Sequence, residues 1–150
     1  RLLGDVVYSQ NDIAGDVGTY RDECVGCTWG IDLHYPEPEL SGLLGKNCFR
    51  SYAKHFGKAK SPARYLPYRC LYSRNINNLF MAGRCISMTH LAHAFFRNQR
   101  TCGMMGEVVG LAAALTKKHD CHPRDLAHSL WTELEKMLIR GPIPHPCHAR

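Results

Sequence analysis

The stretch from Asn78 to Leu115, "NLFMAGRCISMTHLAHAFFRNQRTCGMMGEVVGLAAAL", constrains this chain more than any other. Within it Gly103, Gly106, Gly110 and Ala113 recur at steps of three, four and three, which is one face of a helix. Each interior glycine costs roughly 0.5–1 kcal/mol relative to alanine. A helix that keeps three of them implies close approach, either of a neighbouring backbone or of a ligand reaching the helix start. The apolar run Leu79–Ala82 precedes it, reads as a short strand covered on both faces, and stops at Gly83-Arg84. Strand, glycine, polar loop and glycine-rich helix start together place unpaired N–H groups where an anion or a polarised carbonyl can sit.

The flanking segments give a mixed α/β (or α+β) pattern. "RLLGDVVYSQND" reads as a short strand ending in a turn at Asn11-Asp12, and residues 13–28 as loop. A second strand is expected around Trp29–Leu33, closed by Pro36 and Pro38. Residues 39–64 lack periodicity and read as an excursion, after which Tyr68–Tyr72 regains β character. One helix is expected from Thr101, as N-cap, to His119, with Lys117, Lys118 and His119 at its negative end. A second begins at Pro123 and stops at Gly141-Pro142, with Leu126, Leu130, Leu134 and Met137-Leu138 on its packing face.

Composition bounds the partners. The net charge of +6, with nine histidines besides, suits phosphates, nucleotides or carboxylates. The basic residues are scattered from Arg50 to Arg100 and form no stripe with interleaved aromatics, which argues against a dedicated nucleic-acid surface. No apolar run approaches the 18 or more residues of a membrane span, and no secretory signal is visible, so a cytoplasmic location is expected. The first residue is Arg rather than Met, so a trimmed chain or a fragment is expected. Eight cysteines invite a disulfide reading, but Cys85 and Cys102 sit in apolar or glycine-rich elements, and reduced thiols fit better. Cys24-x-x-Cys27, with Cys121-His122 or His145-x-Cys147-His148, is a zinc alternative of which only the first pair has good spacing.

The ordered set "RLLGDVVYSQND", "WGIDLH", "LPYRCLYSRNINNL", "NLFMAGRCIS", "TH", Arg97 and "RTCGMMGEVVGLAAAL" resembles the C-terminal part of an FAD-dependent oxidoreductase of the glutathione-reductase-like two-domain flavoprotein group. The resemblance spans nearly the whole chain apart from 13–28 and 39–62. It implies the C-terminal portion of an FAD-binding Rossmann-like domain over 67–141, part of a β-rich substrate domain over 1–66, and an irregular tail over 142–150. The G-x-G-x-x-G that holds the FAD diphosphate in such proteins does not occur here, so the resemblance implies a missing N-terminal FAD-binding half as partner.

By this resemblance Gly83, Arg84, Thr101, Cys102, Gly103 and Gly106 meet the FAD, with the helix start aimed at the flavin N1–C2=O edge. His90, Arg97 and His34 become the catalytic candidates, for substrate contact or proton transfer, against a purely structural role as loop or strand hydrogen-bonding groups. Arg69 matches a substrate-side segment, though interstrand hydrogen bonding explains it as well. His93-Ala94-Phe95-Phe96 and Asn98-Gln99 depart from the family pattern where substrate or flavin would be met. The implied activity is hydride acceptance by flavin from a small organic substrate, hydroxylated or sugar-like; the alternatives are a non-catalytic truncated remnant or a small zinc module. No metal site is assigned.

Overall fold

The computed structural model describes residues 2–15, 20–36, 51–56 and 63–140; the expected tail at 142–150 and most of the 39–64 excursion lie outside them. The chain enters extended. Val6 and Tyr8 donate their N–H groups to Arg69 O and Ser87 O, and Tyr8 forms a parallel bridge with Met88. The expected turn at Asn11-Asp12 is instead helix α1 (Gln10–Ala14). Ser9 Oγ accepts the Asn11 amide, and the Asp12 carboxylate accepts the Ser9 amide and hydroxyl at 2.7 Å each. That reciprocal capping starts a helix where the sequence suggests only a bend.

Two antiparallel ribbons follow. Strand β1 (Glu23–Cys27) pairs with β4 (Arg64–Pro67), and β2 (Ile31–Pro36) pairs with β3 (Ser51–Phe56). Part of the expected 13–28 loop is therefore strand, as is part of the 39–64 excursion. In β1, Val25 and Cys27 are buried while their neighbours are half-buried, the alternation of a one-sided ribbon. The β character expected at Tyr68–Tyr72 ends earlier, because Tyr68–Cys70 tightens into a 3-10 turn. Likewise Leu79–Ala82 is not a full strand. It meets the chain at Leu71–Ser73 through one bridge, Tyr72 with Phe80, flanked by Met81 N–H to Leu71 O and Ser73 N–H to Leu79 O.

The helical half begins with α2 (His90–Phe96), capped by Thr89 Oγ1 on the Ala92 amide. Helix α3 (Gln99–His119) follows at once, and its N-cap is Asn98 rather than Thr101. Asn98 Oδ1 accepts both the amide and the hydroxyl of Thr101, at 3.0 and 2.9 Å, which moves the N-cap three residues earlier. Lys117, Lys118 and His119 occupy the last turn of α3 as the dipole favours. The second helix starts at Pro123 as α4 (Pro123–Asp125), widens into a π turn over Leu126–Leu130 and continues as α5 (Trp131–Arg140); its stop at Gly141-Pro142 lies outside the described residues.

One core joins the two halves. Tyr68, Leu71, Tyr72, Ile86, Phe95, Phe96, Met105, Leu115, Leu126 and Leu134 are fully buried in it. His93, Ala94, Phe95 and Phe96, expected near substrate or flavin, are the inward face of α2, and Phe96 meets Tyr8 edge-on at 5.3 Å. No helix of the described residues is long and apolar enough to cross a membrane.

Candidate functional site

Helix α3 buries one face and opens the other. Thr101, Met105, Val108, Ala112 and Leu115 face the core, whereas Gly103, Gly106 and Gly110 are exposed. A Cβ built on any of these three would meet no atom within 4 Å among the described residues. The expectation that a neighbouring backbone explains them is thus overturned within the described fold: a helix buries one stripe, and these positions lie off it. What stands is open space along the glycine face, running from the helix start.

Gly83 borders that clearance. Once Met81 is buried, the chain turns out of the core at Gly83, where φ is +67, a left-handed conformation that favours glycine, and no atom of the described residues lies within 4 Å of its Cβ position. The turn Gly83–Cys85 packs against α3 and leaves Arg84 exposed. Burial raises the Cys102 thiol pKa, and the positive charge of Arg84 opposes that rise without overcoming it. Cys102 Sγ donates to Arg97 O at 3.6 Å, and its amide makes the first intrahelical bond, to Asn98 O. Since Asn98 holds the Thr101 amide, the Gln99 and Arg100 amides are the ones left without acceptors among the described residues. Gly83, Arg84, Cys102 and Gly103 therefore share one corner, with Gly106 one turn on, whereas Thr101 is buried and engaged by its cap.

Beside the helix start lies a cavity of about 630 Å³ between α3 and the β1–β4 ribbon. Cys27, Thr28, Trp29, Tyr65, Arg100 and Met104 are among its walls. The Tyr65 ring lies over Gly26, with Cε1 3.1 Å from where a Cβ would stand, so a side chain at Gly26 would displace it. Cys27 forms the inner wall: its thiol donates to Phe95 O at 3.2 Å, and its sulfur accepts from Asn98 Nδ2 at 3.3 Å and from the Trp29 amide at 3.5 Å.

Two of the three catalytic candidates meet through a carboxylate. Arg97 Nη2 donates to Asp32 Oδ2 at 2.9 Å and to Asp32 O at 3.1 Å, and His34 Nε2 lies 3.3 Å from the same Oδ2. Asp32 is 14% exposed and His34 48%, so the pair is anchored from inside and reachable from outside. His90 is not with them. It opens α2, whose far end carries Arg97 as C-cap, about 10 Å away along a seven-residue helix. Arg69 is held elsewhere, by a two-pronged pair to the buried Asp22 carboxylate at 2.8 and 3.0 Å and by the Tyr20 ring. That is the structural role weighed for it.

Asp32, Asn98, Trp29 and Tyr65 are missed by reading motifs. Asp32 has a detectable signal, since it stands two residues before His34 on a strand and so shares its side. Asn98 has one too, as a strong capping residue ahead of the helix pattern. Nothing local marks Trp29 and Tyr65, which line one cavity only because β1 pairs with β4 and α3 packs above. No group of three His, Cys, Asp or Glu converges among the described residues and all six described cysteines are free thiols, while His145, Cys147 and His148 of the zinc alternative lie outside the described residues.

The sequence profile of the family described as FAD dependent oxidoreductase matches residues 1–138. The chain belongs to that family. FAD is the cofactor that membership implies, and the open face of α3 with the Gly83 turn fits it, because a planar ring needs clearance that side chains there would fill. Comparison with curated proteins and with solved structures gave no match.

Proposed function

We propose that this chain supplies the flavin-ring end of a glutathione-reductase-like flavoprotein, over a Rossmann-like portion beginning near residue 67, and that the enzyme oxidises a small organic substrate. The observation that carries this reading is the open glycine face of α3 beside the positive-φ turn at Gly83, in a chain of the FAD dependent oxidoreductase family. Gly83, Gly103 and Gly106 give the ring clearance, Arg84 gives positive charge, and the first turn of α3 gives amide donors and the positive end of a 21-residue helix. Thr101 and Cys102 hold that turn in place rather than contact the ring.

Bound flavin supplies hydride acceptance, with negative charge gathering at its N1–C2=O edge. The chain's own part is electrostatic and positional. The α3 start lowers the energy of that charge, and Arg97 and His34, held together by Asp32, are the groups assigned to proton transfer. His90, remote from this pair, is assigned no catalytic part. The adenine and diphosphate fall to a separate glycine-rich half, since no G-x-G-x-x-G occurs in these residues.

FMN separates these parts, because it lacks the adenylate moiety. Titrated with the 150-residue chain, FMN fluorescence should be quenched saturably, and FAD should bind within about threefold of FMN, a difference under roughly 0.7 kcal/mol. Absence of saturable quenching would sink the ring-end assignment. FAD binding a hundredfold tighter than FMN would move the diphosphate site into this chain.

A further inference from the structure

We infer that the cavity between α3 and the β1–β4 ribbon is the substrate site, and that its ligand class is a single-ring sugar acid. This deepens the flavin reading above and rests on it for the reaction, though not for the binding.

The location comes first. Arg100 and Met104 are four residues apart and line the cavity on one face of α3. At about 100° per residue, Gly103, Gly106 and Gly110 lie roughly 100° round the same helix. The cavity and the glycine face thus adjoin at the first turn without coinciding, the arrangement that a substrate beside a flat cofactor requires.

The walls then select the chemistry. Trp29 and Tyr65 are 50% and 39% exposed, large aromatic surface left open on the rim of a concavity. The negative face of an aromatic ring attracts the weakly positive C–H face of a pyranose. Thr28 and Gln99 add a hydroxyl and a carboxamide, and neither is engaged by another side chain among the described residues. Sugar hydroxyls would give both of them hydrogen-bond partners, which a flat aromatic ring lacks. Charge supplies the last element. Arg100 lines the cavity, no Asp or Glu among the described residues does, and Arg100 forms no ion pair with any of them. A carboxylate is the complementary group, and its two oxygens match the planar guanidinium. The volume of about 630 Å³ falls in the range of sites for small organic ligands.

The test uses Trp29 as reporter. The full chain is titrated with D-glucuronate, D-glucose and benzoate, following tryptophan emission, with Trp29→Phe to identify the signal and Arg100→Gln to test the charge. The expected result is a saturable change with glucuronate that vanishes in Trp29→Phe. Glucose, benzoate and the Arg100→Gln variant should each bind at least tenfold more weakly. Both substitutions fall at exposed positions, and unchanged melting temperatures would verify the fold. No saturable response, equal binding of benzoate, or indifference to Arg100→Gln would overturn the proposal. So would complete loss of the glucuronate response after saturation with FMN, which would assign the cavity to the ring itself. Glucuronate binding without FMN binding would leave the sugar-acid site standing and remove the flavin reading instead.

Discussion

Arg69 shows how far a single residue can be from its apparent role. Asp22 is 1% exposed and takes the amide and two guanidinium nitrogens of Arg69, so removing the arginine leaves a buried carboxylate without its counter-charge. Arg69→Ala should lower stability by about 3–5 kcal/mol, read by urea denaturation. The partner lies 47 residues away, so no local pattern could reveal it. Asp32 is the opposite case, since its spacing to His34 was readable. Two other carboxylates set the acid limit. Burial alone would raise Asp5 and Asp12, but hydrogen bonds from Arg124 and Tyr72 to Asp5, and from Tyr20 and Ser9 to Asp12, outweigh it and hold both below the usual range. Their stabilisation is therefore complete above the unfolded carboxyl range of about 4 and is lost as pH falls through their lower folded values. Melting temperature should fall as pH drops below about 4, and Arg124→Gln should flatten that fall.

Among the elements, α3 was legible in type and nearly so in extent, because glycine spacing, apolar spacing and the basic last turn agree. Its start was not, because Thr101 and Asn98 are both capping residues and only the buried position of Thr101 decides between them. The strands were the harder part. Four residues of β1 pair with a segment some forty positions on, and half-buried ribbons of this length carry little periodicity. The helix end offers an independent check. Asp120 sits in the left-handed region at φ +47, ψ +53, with a negative side chain at the negative end of α3. Asp120→Gly should therefore stabilise the protein by about 0.5–1 kcal/mol, visible as a higher melting temperature.

At the scale of the whole molecule, the N-terminal segment and the last helices are bound to one another. Arg124 bridges Asp5 at 2.6 and 2.8 Å and reaches Arg74 O, while Tyr72 donates to the same Asp5. This clamp ties the first residues to α4 across 119 positions. The family was legible from those motifs in combination. The cavity was not, because it exists only where β1, β4 and α3 come together. The central claim is that the open face of α3 is kept clear for a flavin ring, and Gly103→Leu tests it most directly. The position is exposed, a Cβ there meets no atom within 4 Å among the described residues, and the change removes an interior glycine, so the fold should gain up to about 1 kcal/mol. FMN affinity measured by fluorescence quenching should nevertheless fall at least tenfold, with an unchanged or higher melting temperature. An FMN affinity equal to that of the unaltered chain would contradict the account.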